Sequence, residues 1–548
     1  MERSELTSGM TLDELIGQLF VVGFNGVSPS PEIVDLIQNH HVGGIILFGR
    51  NVRNAEQLLA LTGELQAIAK AAGHQHPLLI STDQENGVVR RLGPGTTIFP
   101  GAMGLGAIGS EQMAHDVAFA TGRELRALGV NMNLAPVADV NNNPDNPVIG
   151  VRSFGADPEL VARLAAAAVR GYGEAGVMTS LKHFPGHGDT SVDSHLDLPV
   201  VPHSAERLEQ VELPPFKAGI AAGVDSVMLA HVYFPALMPA EKLPATISPV
   251  IIEGLLRETL GFEGVIVSDC LEMRAISDTV GTERGAVMAL RAGIDVVLIS
   301  HTYGPQRRAV EAVRSAISGG DLAAERVRQA AERVLRLKSR YLSWEVSAPV
   351  VPEWVGGSAH QQLSAAACDA LVTLVRNDDG LLPLRPRPPE RLLVLYPDRA
   401  SLTLAADTRY PERFLAETVR RRHPGVDAMS FPLSPSDEER EDIMSRAKRV
   451  DLILMATMNA HLRPEQAELM KLLLRSGKRV IGIAARNPYD LLAFPHLDTY
   501  VAAYEYTPSA MEAAVRLLFG EIQPRGHLPV SLPGLYERGE GMTSFHDQ

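Results

Sequence analysis

The chain is short of the residues that would place it in several common classes. Two cysteines in 548 residues, Cys270 and Cys368, have no paired spacing, which excludes a disulfide framework and a cysteine-based zinc site and fits a reducing compartment. No stretch reaches the roughly 18 apolar residues that a membrane span requires. The N-terminus carries Glu2, Glu5, Asp13 and Glu14 and lacks the basic start and apolar run of a secretory signal. Positive charge is the minority sign, 51 Lys and Arg against 65 Asp and Glu, so no basic stripe is available for a phosphate backbone or an anionic membrane surface. These absences predict a cytoplasmic protein with neither nucleic acid nor membrane as partner.

What is present points to a large folded protein. Apolar residues make up 45% of the chain and charged residues 21%, enough for a sizeable core. Short apolar runs at 19–24, 43–48, 77–82, 130–137, 177–183, 225–231, 263–268 and 294–300 read as buried parallel strands. Helix-period stretches such as Asn54 to Ala72, Glu111 to Leu128 and Pro158 to Ala175 separate them, and the last helix ends near Arg340. Eight such units predict an α/β fold with an N-terminal (β/α)₈ TIM-type barrel over 1–342. A linker rich in Pro, Gly and Trp follows over 343–360. Strand-like runs at 391–396, 451–456, 479–484 and 499–504, alternating with helical stretches, predict a smaller α/β/α sandwich of parallel strands over 361–548. This second part has no Gly-rich phosphate loop, so a nucleotide role has no support.

In such barrels the chemistry sits on loops after the C-terminal ends of strands. The polar residues fall there: Asp83, Glu85 and Arg91 after the third run, Asp139 and Asn141 to Asn143 after the fourth, Lys182 to His195 after the fifth, His231 after the sixth and Asp269 after the seventh. Asp193 and His195 are spaced i, i+2, which in an extended loop puts both side chains on one side. The carboxylate can then orient the imidazole and raise its pKa for proton transfer. Asp269 ends an apolar strand, where a carboxylate can act as nucleophile, base, metal ligand or helix cap. Asp83 with the nearby Arg90 and Arg91 suits sugar hydroxyls, the acid accepting and the guanidinium donating, or forms a rim ion pair.

Lys182-His183-Phe184-Pro185-Gly186-His187-Gly188-Asp189-Thr190 followed by Asp193-Ser194-His195 resembles the signature of the NagZ-like β-N-acetylglucosaminidase branch of glycoside hydrolase family 3. The resemblance extends to Asp83-Gln84-Glu85, to Asn146 through Gly155 and to Ser268-Asp269-Cys270-Leu271-Glu272-Met273, with Asn86 standing where glycine is usual. Leu371 to Asn377 and Asn487-Pro488-Tyr489-Asp490 resemble the sandwich domain that many members carry and some lack.

The resemblance implies that Asp269 is the nucleophile of a retaining exo-β-N-acetylglucosaminidase and that His195, paired with Asp193, is the general acid and base. It implies that Asp83, Arg91, Arg152, Lys182 and His183 hold the terminal sugar, while His187 and Asp189 shape the loop. No metal or cofactor is implied. The substrate would be a GlcNAc-containing saccharide or muropeptide in cell-wall peptidoglycan recycling, and the oligomeric state stays open. A histidine acid departs from the usual pair of carboxyls. Because it is neutral after giving up its proton, phosphate in place of water, a phosphorylase, is an alternative. A β-glucosidase of the same family is another, with a metal-dependent barrel hydrolase and a non-catalytic carbohydrate-binding protein as remote readings.

Overall fold

The structure, a computed structural model, describes residues 6–192, 197–344, 350–385, 389–398 and 413–546. Eight strands close into a parallel barrel in sequence order: β1 (Phe20–Val22), β2 (Gly44–Leu47), β3 (Leu79–Thr82), β4 (Met132–Asn133), β5 (Met178–Phe184), β6 (Ser226–Leu229), β7 (Val265–Cys270) and β8 (Val296–Ile299). They form where the chain has short apolar, β-branched runs that are buried on both faces, as parallel strands covered by helices must be. Val21, Leu79, Met132, Val265, Val267, Val296 and Leu298 meet in the lumen, so the barrel is a packed core whose open end alone is free for chemistry. The helices between them follow the expected apolar period, Ala55–Ala71, Glu111–Ala127 and Pro158–Glu174 among them, and Ala324–Tyr341 closes the series. Among the described residues, no helix is long and apolar enough to cross a membrane.

The second unit is built on a six-stranded sheet in the order β11-β10-β12-β13-β14-β9, from β9 (Thr373–Asn377), β10 (Leu392–Pro397), β11 (Val426–Phe431), β12 (Leu452–Thr457), β13 (Arg479–Ala484) and β14 (Thr499–Ala502). The sheet is mixed, which corrects the expectation of parallel strands: β9 pairs antiparallel with β14. Strand direction is set by where the chain enters the sheet, and a local apolar pattern carries no such information. The apolar pattern does not predict β11 either. As an edge strand it is only half-buried over most of its length, and Asp427 and Ser430 interrupt its apolar run.

The two units share a packed interface. The core of the second takes in Met103, Ala107 and Val151 from the barrel. The segment between them is tied down as well: Arg123 stacks on Trp354 at 4.2 Å, and Gly356 N donates to Glu124 Oε1 at 3.0 Å.

Candidate active site

Charge-bearing side chains from three consecutive strand ends converge at the open end of the barrel. Lys182, on β5, is 2% exposed. Its Nζ lies 2.7 Å from Asp83 Oδ1 and 2.6 Å from Glu85 Oε1, both just past β3. Arg152, on the long loop after β4, donates to both Glu85 oxygens at 2.8 Å. Arg152 Nη2 also stands 3.4 Å from His183 Nε2, and His183 Nδ1 lies 2.7 Å from Asp139 Oδ2. An accepting Nε2 and a donating Nδ1 would satisfy both neighbours. The result is a connected chain in which Asp83, Lys182, Glu85 and Arg152 alternate in sign and His183 links Arg152 to Asp139.

The electrostatics follow from burial and pairing. Burial alone would raise the Glu85 carboxyl, but Arg152 and Lys182 outweigh it and hold the group well below the ordinary carboxylate range. Asp139 is likewise held low, His183 outweighing burial. Lys182 and Arg152 are pushed up, Asp83 and Glu85 overcoming the burial that favours their neutral forms. Glu85, Asp139, Lys182 and Arg152 therefore stay ionised across the neutral range, and the network that joins them is fixed. It offers fixed acceptors and donors to hydroxyl groups at little reorganisation cost.

Local sequence explains how the loops hold these groups. Buried Gln84 is the organiser after β3: its Oε1 accepts from Arg91 N at 2.8 Å and Leu92 N at 3.1 Å, and its Nε2 donates to Asn86 Oδ1 at 3.0 Å. Asn86 has φ +70°, the left-handed region that favours glycine and that asparagine tolerates better than most side chains, which accounts for the departure noted in the sequence. After β4, Asn146 staples two loops. Its Nδ2 donates to His187 O and Gly188 O, both at 2.9 Å, and its Oδ1 accepts from Val148 N and Ile149 N.

Asp269 lies four strands around the ring from β3, on the opposite side of the mouth. The β7–β8 register shifts between Val267 and Cys270, placing Asp269 in an irregularity of the kind that re-aims side chains beside active sites. Its half-buried carboxylate accepts from Cys270 N at 2.7 Å. His231, after β6, supports this strand end, with Nε2 2.9 Å from Cys270 O and Nδ1 2.6 Å from Thr246 Oγ1.

Of the expected site residues, the structure joins Asp83, Arg152, Lys182 and His183 in one chain. Arg91's guanidinium lies 5.8 Å from the Phe48 ring, just past β2. Asp193 and His195 lie outside the described residues. His187 is buried, with Nδ1 2.8 Å from Thr190 Oγ1, and its pKa falls to about 4 because burial and His183 disfavour its charge. Asp189 engages His203 at 2.5 Å.

Glu85 and Asp139 have central places that the sequence reading gave them no role in, although both stand after strand ends. A further cluster escaped it because its members are separated in the chain: Cys270, Glu272 and His301 bring one metal-ligating atom each within 4.8 Å. Burial and Glu272 push the free Cys270 thiol up to about 12, which keeps it neutral at neutral pH.

Comparison with known proteins agrees with this architecture. Residues 11–337 match the glycosyl hydrolase family 3 N-terminal domain and residues 372–541 its C-terminal domain. The chain is 33% identical to β-hexosaminidase A of Pseudoalteromonas piscicida, over 92% of this chain and 91% of that protein. It superposes with a TM-score of 0.90 on a family 3 β-N-acetylglucosaminidase from Paenibacillus sp. str. FPU-7, at 42% identity, covering 96% of this chain and 99% of that one. A fungal multi-domain family 3 β-N-acetylglucosaminidase gives a TM-score of 0.91 at 44% identity; 97% of this chain matches, spanning 62% of that longer one. A closed barrel with its charged residues at the strand ends, a mixed sheet packed against it, and both family domains in order lead to one assignment: the chain belongs to glycoside hydrolase family 3.

Proposed function

We propose that the chain is an exo-acting β-N-acetylhexosaminidase that removes terminal β-linked GlcNAc with retention of configuration, peptidoglycan fragments being its natural substrates. The observation that carries this reading is the placement of Asp269 across the barrel mouth from the Asp83, Lys182, Glu85 and Arg152 chain. A sugar held there by its hydroxyls presents its anomeric carbon to Asp269. The names of the relative from Pseudoalteromonas and of the Paenibacillus enzyme support the choice of an N-acetylated sugar.

In the proposed mechanism Asp269 attacks the anomeric carbon as the glycosidic C–O bond breaks, and the leaving oxygen takes a proton from His195, oriented by Asp193. Now neutral, His195 accepts a proton from water as its oxygen attacks the same carbon and releases Asp269. The roles of His195 and Asp193 rest on the family resemblance.

Asp269→Ala is expected to lower kcat/KM by far more than tenfold, tenfold corresponding to about 1.4 kcal/mol of barrier. Activity within tenfold of wild type would refute the nucleophile assignment. His195→Ala should harm glycosides with poor leaving groups more than activated aryl glycosides, which need little protonation. Product analysis of chitobiose and of a muropeptide, with and without phosphate, tests the rest: free GlcNAc in both is expected, GlcNAc-1-phosphate would mean a phosphorylase, and faster release from aryl β-glucoside would mean a glucosidase.

A further inference from the structure

One cation beside the site has no counterpart. Arg486 follows β13 in the second unit and is 7% exposed. It donates no hydrogen bond to, and forms no ion pair with, any described residue. Other arginines at similar depth are accounted for: Arg152 by Glu85, Arg257 by Asp295, and Arg90 by Thr96 and the Gly93 carbonyl. Arg486 is close enough to Arg152 for the two charges to repel, and burial together with that repulsion lowers its pKa to about 10. It thus stays charged at neutral pH in a place where an unpaired charge is costly.

The loops that meet there hold other unmet polar atoms. Asn487 Oδ1, on the next residue, and both amide atoms of Asn142, on the barrel loop that leads to Arg152, are buried without partners. The two loops are in close contact: a Cβ at Gly150 would come within 2.7 Å of Asn487 Oδ1. An unpaired guanidinium is a recognition group for phosphate or carboxylate oxygens, and Asn142 Nδ2 is a further open donor on the barrel loop.

Position within the barrel decides which anion. Arg152 is bound to Glu85 after β3, and β3 lies opposite Asp269 on β7. A ligand near Arg486 is therefore remote from the reacting carbon, on the side of the sugar that faces away from it. In a pyranose those positions are C4 and C6. We infer that Arg486, delivered by the second unit, is a specificity-determining residue for an anionic group, a phosphate ester or carboxylate, carried at C4 or C6 of the terminal sugar. The inference rests on the sugar-cleaving reading above.

The test uses the full chain and aryl β-GlcNAc substrates, either neutral or bearing phosphate at C4 or at C6. Wild-type enzyme is expected to turn over at least one phosphorylated substrate with a kcat/KM at least equal to that of the neutral one. In Arg486→Gln the ratio of the two should fall at least tenfold, with Arg486→Lys intermediate. An equal ratio in wild type and Arg486→Gln, or no turnover of either phosphorylated substrate by wild type, would overturn the inference; the wild-type arm does not depend on the variant folding. Free inorganic phosphate added to the neutral substrate separates the other source: sugar-1-phosphate formation that Arg486→Gln abolishes would make this an acceptor site and overturn it equally. Failure to cleave even the neutral substrate would instead strike the parent reading.

Discussion

At the scale of single residues, Glu85 is the most demanding position in the candidate site. It accepts from Lys182 and from both forks of Arg152 while its side chain is only 5% exposed. Glu85→Gln would leave two buried cations with half their compensation, a change that costs about 3 kcal/mol or more in comparable buried pairs. Chemical unfolding should register that loss together with a fall in kcat/KM; a loss under about 1 kcal/mol would mean that the chain of charges does not act as a unit. Sequence reasoning placed Asp83, Lys182, Arg152 and His183 in the site by resemblance, and Glu85 lay in the quoted motif without a role. The reason is physical: which of two acids in Asp83-Gln84-Glu85 meets which cation depends on the turn that Gln84 imposes.

At the scale of elements, the loop from Asp139 to Gly155 depends on contacts from both units. Tyr489 OH accepts from Asn141 Nδ2 at 3.2 Å, and His461 Nε2 lies 3.0 Å from Pro144 O. Asn146 satisfies four backbone groups from within the barrel, and Asn146→Ala would leave Gly188 O, Val148 N and Ile149 N without this partner, while His187 O keeps Thr190 Oγ1 at 3.1 Å. An expected cost of about 2–4 kcal/mol follows from the unmet groups. Because this loop carries Arg152, KM should rise more than kcat falls, and steady-state kinetics showing the opposite split would refute a positioning role. The barrel strands were legible because their apolar runs are continuous. β9 and β11 were not, since polar Thr373, Arg376 and Asn377 break the apolar run of one and the other is a half-buried edge.

At the scale of the whole molecule, the two units are coupled through a buried acid. Glu505 Oε2 accepts from Gly101 N at 2.8 Å and its Oε1 from Thr507 Oγ1 at 2.8 Å. Burial lifts its carboxyl from 4.5 to about 7, although those hydrogen bonds oppose the shift. A raised folded-state pKa means that the folded protein holds the proton more tightly. The stability from this group is therefore complete below pH 4.5 and is lost as pH rises through about 7, a change of up to about 3 kcal/mol at roughly 1.4 kcal/mol per pH unit. Glu505→Gln should flatten the unfolding free energy between those pH values relative to wild type. Parallel curves for the two proteins would show that Glu505 does not titrate in that window.

The sequence by itself determined the barrel, the α/β character of the second unit and the family, because periodic burial and short ordered motifs are local properties of the chain. It also placed Asp269 at a strand end, since a continuous apolar run that stops at an acid needs no partner to be read. Only the tertiary structure decided which acids neutralise which cations, how β9 is directed and that Arg486 stands beside Arg152. Those facts depend on side chains brought together from distant segments, where distance and dielectric rather than spacing along the chain set the interaction.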